Sequence, residues 1–243
     1  MISLIIPIYN EEEMLNQYNQ DFFPVVENLK KKYDEDIEIV LVDDRSDDSS
    51  WSIISDFTRN RTDTIGARHE KNRGMGAAVK TGIEKCHGDL LVFLDADLTF
   101  RPEDISVLLE EYRKYPVECI SGSPLLRPEL MDDVQKWRMF LSKSVNILYR
   151  ILLGKPVTSV SPIFRLYKRD VFHQIPLSSE NFEICAEILS KMIFKGMEIR
   201  EVPVALHRRK FGKSKAKLAK SIKNHTKILY KIFLVKYLKR EWI

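Results

Sequence analysis

An α/β fold with a mostly parallel central sheet flanked by helices is what this sequence predicts. Apolar runs of strand length alternate with helix-like segments through the first half of the chain. Two of those runs end in acids, Asp43-Asp44 and Asp95-Ala96-Asp97, at the strand ends where an open α/β sheet keeps its ligands. With 243 residues, 44% hydrophobic and 30% charged, the chain can bury one sizeable core.

The elements follow in order. Residues 2–8 read as a buried strand, and Asn10 with the glutamates at 11–13 suits a helix start. Residues 37–42 form a second strand. Residues 49–58 form a helix with Trp51, Ile54 and Phe57 on one face, and 65–69 a short strand. Residues 77–86 read as a helix closed by Gly88, and 90–94 as the strand that delivers Asp95 and Asp97. Pro102-Glu103-Asp104 opens a helix with acids in its first turn, and Arg113 and Lys114 suit its last. Beyond it the spacing predicts a long helix over 134–153, a strand over 163–168, a helix over 182–194 and a strand over 199–206. No repeat or linker interrupts the chain, so one domain over 1–206 and an extension over 207–243 are expected.

Charge is unevenly distributed. From His207 onward there are thirteen lysines and arginines and one acid, so the tail carries +12. With the chain at +4, residues 1–206 carry −8. Such a tail suits an anionic partner. Lys220, Lys223, Lys227 and Lys231 recur on one helical face, with Leu218, Ile222, Leu229, Ile232 and Phe233 opposite. A basic amphipathic helix of this kind can lie on an anionic membrane surface or dock on the body or on a membrane-protein partner. Nucleic acid ranks lower, because an acidic body would repel it. Cys86, Cys119 and Cys185 lack metal-ligand spacing and suit a reducing compartment. No signal peptide or spanning run is expected, which points to a soluble or peripheral protein on the cytoplasmic face of a membrane.

Two glycine-containing stretches imitate nucleotide loops. Asn72-Arg73-Gly74-Met75-Gly76-Ala77 lies behind two earlier strands, which argues against a dinucleotide fingerprint. Gly212-Lys213-Ser214 lacks the upstream glycine of a Walker loop, where His207 stands.

Four ordered segments then combine: Pro7-Ile8-Tyr9-Asn10-Glu11, Val42-Asp43-Asp44-Arg45-Ser46, the Asn72–Ala77 stretch, and Asp95-Ala96-Asp97. Each follows a strand end or opens a helix, so all can converge on one crevice. Asp43, Asp44 and Glu11 could meet ribose hydroxyls and base edges, and Gly74 and Ala77 would allow close backbone approach. Asp97, with Asp95, could hold Mg²⁺ or Mn²⁺ against a diphosphate. In this order the segments resemble the family 2 glycosyltransferases of the GT-A nucleotide-sugar-binding fold. Within them, the resemblance is to the dolichol-phosphate mannose synthase and polyprenyl-phosphate sugar transferase branch, over about residues 1–215. It implies a nucleotide-sugar donor (GDP-mannose or a UDP-hexose) bound by Pro7, Tyr9, Glu11, Asp43, Asp44, Arg73, Gly74, Ala77, Asp95 and Lys215.

Family members that glycosylate hydroxyls resemble one another in a Glu-Asp pair whose Asp is the general base. No Glu-Asp occurs in residues 120–206. A phosphate monoester is already anionic at neutral pH and needs cationic clamps instead. Arg138 and Ser142, four apart on a helical face, could grip one phosphate, and the family has Arg and Ser at this spacing. Arg209, in Arg209-Lys210-Phe211-Gly212-Lys213-Ser214-Lys215, resembles the family's basic loop over the diphosphate. The sequence departs from the branch at Thr99, at 159–164 and at Gly122, with Arg127 in place to substitute for an arginine there. The expected activity is metal-dependent, inverting hexose transfer to a polyprenyl phosphate. Alternatives are a hydroxyl acceptor, for which Glu183 or Glu187 would be essential, and a non-catalytic nucleotide-sugar-binding scaffold.

Overall fold

The structure, a computed structural model, describes all residues except 132–135, 213–217, 241 and 243, and only the backbone of 130, 136–141 and 218–221. Strand β1 (Ile2–Ile8) is apolar at nearly every position because both of its faces are covered, as a central parallel strand requires. Two single-turn helices, α1 (Glu12–Leu15) and α2 (Tyr18–Asp21), lead into α3 (Phe23–Tyr33). The latter carries Pro24 in its first turn and closes on Asp34 in the left-handed conformation. Then come β2 (Ile37–Asp43), α4 (Ser50–Asn60), β3 (Thr64–Arg68), α5 (Met75–Lys85) and β4 (Leu90–Phe93). The second half supplies α6 (Ile105–Lys114), β5 (Cys119–Ser123), α7 (Lys136–Leu153), β6 (Arg165–Lys168) and α8 (Val171–Gln174). It continues with α9 (Ile184–Phe194), β7 (Ile199–Pro203) and α10 (Leu218–Leu238).

The seven strands form one sheet in the order β3-β2-β1-β4-β6-β5-β7. Every pairing is parallel except the two made by β6, which runs against β4 and β5. Strand alternation divides the core between two faces. Leu4, Ile6, Ile39, Leu41 and Val92 pack with Val26 of α3, Ile54 of α4 and Leu108 of α6. Ile5, Val40, Val42 and Leu91 pack with Val79 of α5 and Ile188 of α9 on the other face.

A third cluster joins Tyr149 and Leu153 of α7, Leu189 of α9, and Ile228 and Ile232 of α10. The C-terminal helix therefore docks on the body. Burying Ile228 and Ile232 contributes roughly 1.5–3 kcal/mol each. The docked stripe is rotated from the apolar side expected for the tail, since Ile222 and Phe233 stay exposed.

Other departures have local causes. Pro102–Asp104 forms one 3-10 turn, and the helix proper starts at Ile105. Strand β7 stops at Pro203, which lacks the N–H to continue the ladder, leaving Leu206 as a lone bridge to Met131. Helix α3 and strand β5 add to the elements expected from periodicity. In β5, Cys119-Ile120-Ser121-Gly122-Ser123 is too polar to read as a strand, yet all five residues are buried. Their polar groups are satisfied: Arg165 donates to Ser121 Oγ at 2.9 Å, and Ser123 Oγ lies 2.6 Å from Thr158 Oγ1.

Candidate active site

The β1–β4 ladder ends at Ile5–Phe93, while β1 continues beside β2 as far as Ile8–Asp43. Pro7 stands beyond that end, where only β2 flanks it and its missing N–H costs no ladder bond to β4. Chain leaving β4 is thus released toward the carboxyl ends of β1 and β2. The loop after β1 turns at Asn10, whose φ of 54° is tolerated by its short polar side chain. It is laced to the loop after β2: Asn10 N donates to Ser46 Oγ at 2.8 Å, Asp47 N to Asn10 Oδ1 at 2.8 Å, and Glu11 N to Ser50 Oγ at 2.9 Å. Tyr9, in the first of these loops, is half-buried.

Asp43 and Asp44 are buried and organise the neighbouring loops. Asp43 Oδ1 accepts from Ser46 N at 3.0 Å, and Oδ2 lies 2.9 Å from Arg68 Nε, close in charge but off hydrogen-bond alignment. Asp44 accepts from Arg73 N at 2.8 Å and Gly74 N at 2.6 Å, and its Oδ1 is 2.7 Å from His69 Nδ1. This carboxylate at the start of α5 fixes the Arg73–Gly74 turn. Arg68, His69, Glu70, Lys71, Asn72, Arg73 and Glu180 line a crevice of about 670 Å³ there. Gly74 has a φ of 102°, and a Cβ on it would collide with Glu180 O. That carbonyl accepts from Gly76 N at 2.8 Å and Ala77 N at 3.2 Å. The close approach that these glycines permit is therefore to the 179–181 backbone, which forms one wall of the crevice.

Asp95, Asp97, Glu11 and Arg209 meet at the end of β4. His207 N donates to Thr99 O at 2.9 Å, which lays the segment after β7 across the 97–99 turn. Arg209 then donates from Nε to Asp97 Oδ2 at 2.9 Å and from Nη1 to Glu11 Oε1 at 3.1 Å. Thr99 N caps Asp97 Oδ1 at 3.0 Å. Burial, and then the charge of Asp97, pushes the Asp95 carboxyl up to about 8, with Arg209 pulling the other way. Burial and the charges of Asp97, Glu11 and Asp95 likewise hold Tyr18 protonated, and its hydroxyl donates to Ala96 O at 3.0 Å.

This donor set fits a hard divalent cation. The carboxylates already hold a cationic guanidinium, and a metal ion would reverse the push on Asp95. Among the described residues no three His, Cys, Asp or Glu groups form a closed metal cage. Mg²⁺ commonly takes one or two carboxylates and completes its shell with substrate phosphates and water.

Ser142 lies half-buried on α7 and Asn146 Nδ2 approaches its Oγ at 3.4 Å. The Arg138 side chain and all of Lys215 lie outside the described residues. Asn146 Oδ1 accepts from Val160 N at 3.0 Å, joining α7 to the 158–160 loop. Glu201 accepts from Thr158 N at 2.8 Å, and the fully buried Arg165 donates to the carbonyls of Ser159 and Val160. Glu201, Arg165 and Asn146 carry no signal in the sequence, because only tertiary contact reveals what they hold. Glu187 is committed elsewhere: it accepts from Ser178 N and Oγ and Ser179 N, and pairs with Lys191 at 2.8 Å. Glu183 accepts from Asn224 Nδ2 of α10 at 2.9 Å.

Comparison with known proteins agrees with this architecture. The glycosyl transferase family 2 model matches residues 3–175. The chain is 30% identical to a dolichol-phosphate mannosyltransferase of Pyrococcus furiosus, over 95% of this chain and 63% of that protein. It is 28% identical to an undecaprenyl-phosphate 4-deoxy-4-formamido-L-arabinose transferase of Pectobacterium carotovorum, over 91% and 64%. The chain thus spans less than two thirds of the length of these two relatives. A third relative, a UDP-N-acetylglucosamine–dolichyl-phosphate N-acetylglucosaminyltransferase of Methanococcus voltae, is 27% identical over 84% of each chain. In fold, the structure is similar to Mycobacterium tuberculosis glucosyl-3-phosphoglycerate synthase in complex with Mn²⁺, UDP-glucose and phosphoglyceric acid. The TM-score is 0.70 at 16% identity, over 97% of this chain and 79% of that one. The fold is therefore GT-A-like, and with the greater part of its length matched by the family model, the chain belongs to glycosyl transferase family 2.

Proposed function

We propose that this protein is an inverting, metal-dependent glycosyltransferase that moves a mannose- or glucose-type hexose from a nucleotide sugar to a polyprenyl or dolichyl phosphate. The observation that carries the reading is the junction of Asp97, Asp95, Glu11 and Arg209 at the end of β4. The names of the three relatives, each a transferase acting on a polyprenyl or dolichyl phosphate, support the acceptor class.

Residues 1–206 would form the catalytic domain and 207–243 the extension. Pro7, Tyr9, Glu11, Asp43, Asp44, Arg73, Gly74 and Ala77 would shape the donor site. Asp97 and Asp95 would hold Mg²⁺ or Mn²⁺, which supplies Lewis-acid stabilisation of the departing diphosphate. Arg209 and Lys215 would neutralise the same charge from the protein side. Arg138 and Ser142 would orient the acceptor phosphate. One of its oxygens attacks the anomeric carbon opposite the nucleotide, and the sugar–diphosphate C–O bond breaks with its electron pair leaving on the nucleoside diphosphate. The acceptor is anionic at neutral pH, so no proton has to be removed. The commitment of Glu187 to Ser178, Ser179 and Lys191 favours this acceptor over a hydroxyl that needs a base.

The test is incubation with polyprenyl phosphate, Mg²⁺ or Mn²⁺ and a panel of nucleotide sugars, followed by lipid extraction. A metal-dependent glycolipid lost in Asp97→Ala is expected and would name the sugar. Donor hydrolysis without glycolipid would overturn the lipid acceptor.

A further inference from the structure

Val160, in the loop before β6, is fully buried, and side chains take both of its backbone polar groups. Its carbonyl accepts from Arg165 Nη2 at 3.0 Å, and its N–H donates to Asn146 Oδ1 of α7 at 3.0 Å. The two residues before it are fixed as well. Ser159 O accepts from Arg165 Nη2 at 3.2 Å, and Glu201 accepts from Thr158 N at 2.8 Å and from Thr158 Oγ1 at 3.0 Å. Arg165 also donates to Cys185 O at 3.0 Å, so the loop is set against both the sheet and the first turn of α9.

This brace settles the orientation of one side chain on α7. Asn146 is buried, and its carboxamide has one accepting and one donating end. A backbone N–H can only donate, so the oxygen must face Val160 and the NH₂ group turns the other way. There Nδ2 approaches Ser142 Oγ, one helical turn earlier, at 3.4 Å. Ser142 thus receives a hydrogen from inside the protein. A hydroxyl has a single hydrogen of its own, and an N–H aimed at its oxygen keeps that hydrogen pointing away from Asn146. A phosphate dianion offers acceptors and no donor, so a hydroxyl can bind it only by donating.

We infer that Asn146 is a positioning residue: held by Val160, it fixes the Ser142 hydroxyl as a hydrogen-bond donor to the acceptor phosphate. The inference rests on the reading of Ser142 as a ligand of that phosphate. The hydrogens run in one direction, from Val160 N through Asn146 to Ser142, and such a chain strengthens its last member. Asn146 acts through Ser142 without touching the acceptor. Glu201 and Arg165 stand one step further back, because they hold the loop that orients Asn146.

The experiment is a double-substitution cycle, read by calorimetric titration of the purified chain with farnesyl phosphate and with farnesol as the phosphate-free control. Ser142→Ala and Asn146→Ala should each weaken farnesyl phosphate binding about tenfold, the scale of one hydrogen bond to a charged group. The double variant should bind no more weakly than Ser142→Ala alone, because Asn146 has no other route to the phosphate. Asn146→Asp keeps an oxygen for Val160 N–H but turns a second oxygen toward Ser142, which draws the hydroxyl hydrogen inward. It should bind at least as weakly as Asn146→Ala, and it carries the test where Asn146→Ala does not fold. Nucleoside diphosphate affinity should stay at the wild-type value throughout. Wild-type farnesyl phosphate affinity in Ser142→Ala or in either Asn146 variant overturns the inference. So does a loss of about a hundredfold in the double variant, which would give Asn146 a purely structural part in the loop. If the wild-type chain binds farnesyl phosphate no better than farnesol, the lipid-phosphate reading falls and this inference with it. That failure shows in the wild-type titration alone, whereas failure of the inference shows only in the variants.

Discussion

Arg209 crosses 112 residues of chain to donate from Nε to Asp97 Oδ2 at 2.9 Å, with Nη2 2.6 Å from the same oxygen. Asp97 and Glu11 draw the guanidinium in strongly enough to outweigh the cost of burying it, and its proton is held more tightly than usual. In the proposed reaction the same cation would leave these carboxylates for the diphosphate as a metal ion takes its place.

Arg209→Ala should therefore lower kcat about 100- to 1,000-fold, the range for removing one preorganised charge donor at a developing anion. Arg209→Lys should recover part of the loss, because a point charge remains without the fork geometry. Single-turnover glycolipid formation checks this. A variant with unchanged kcat would remove Arg209 from the leaving-group site.

Metal and donor should bind together. With no closed cage of three ligands among the described residues, Mn²⁺ alone meets too few oxygens for tight binding. A nucleoside diphosphate would complete the shell, so Mn²⁺ affinity should rise about tenfold or more in its presence, and diphosphate affinity by the same factor in the presence of Mn²⁺. Calorimetric titration in both orders measures the pair of factors, and chelation should abolish turnover. Independent binding would contradict the shared site.

Much of this arrangement is legible in the sequence, and the rest is hidden for physical reasons. Runs such as Ile2–Ile8 announce themselves because parallel strands buried on both faces are apolar throughout. The acids at 43, 44, 95 and 97 stand out because they end such runs. Strand β5 does not, because Ser121 and Ser123 are buried through partners 44 and 35 residues away. Arg165 reads as an ordinary surface cation until five neutral oxygen acceptors close around it. The tail shows the same limit. Periodicity separates its cations from its apolar residues, but only the docked structure shows Ile232 facing the body and Phe233 facing away.

Gly74→Ala should cost both stability and donor affinity. Its φ of 102° is strained for any L side chain, and a Cβ would drive Glu180 O away from the backbone N–H groups of Gly76 and Ala77. A loss of roughly 1–3 kcal/mol in unfolding free energy is expected for a residue forced into such a region. Donor affinity should fall as well, because Glu180 and Arg73 line the crevice. Chemical denaturation and nucleotide titration measure the two effects. Wild-type stability in the variant would show that the wall shifts without strain.

Glu187 links that wall to acid stability. Burial works against its charge, but Lys191, Ser179 and Ser178 outweigh it and hold the carboxyl at about 2. Its folded pKa lies below the ordinary value of 4.5, so the stabilisation is full above pH 4.5 and is lost as pH falls toward 2. The displacement corresponds to about 3 kcal/mol at pH 7, by the usual 1.4 kcal/mol per pKa step. Glu187→Gln should lose about that much at pH 7 and flatten the stability profile between pH 4.5 and 2. Because Glu187 anchors Ser178 and Ser179 directly before Glu180, the variant should also bind donor more weakly at neutral pH. Denaturation midpoints across that pH window, with nucleotide titration at pH 7, test both effects. An unchanged acid profile would show that Glu187 does not carry the acid dependence, and unchanged donor affinity that the crevice wall does not depend on it.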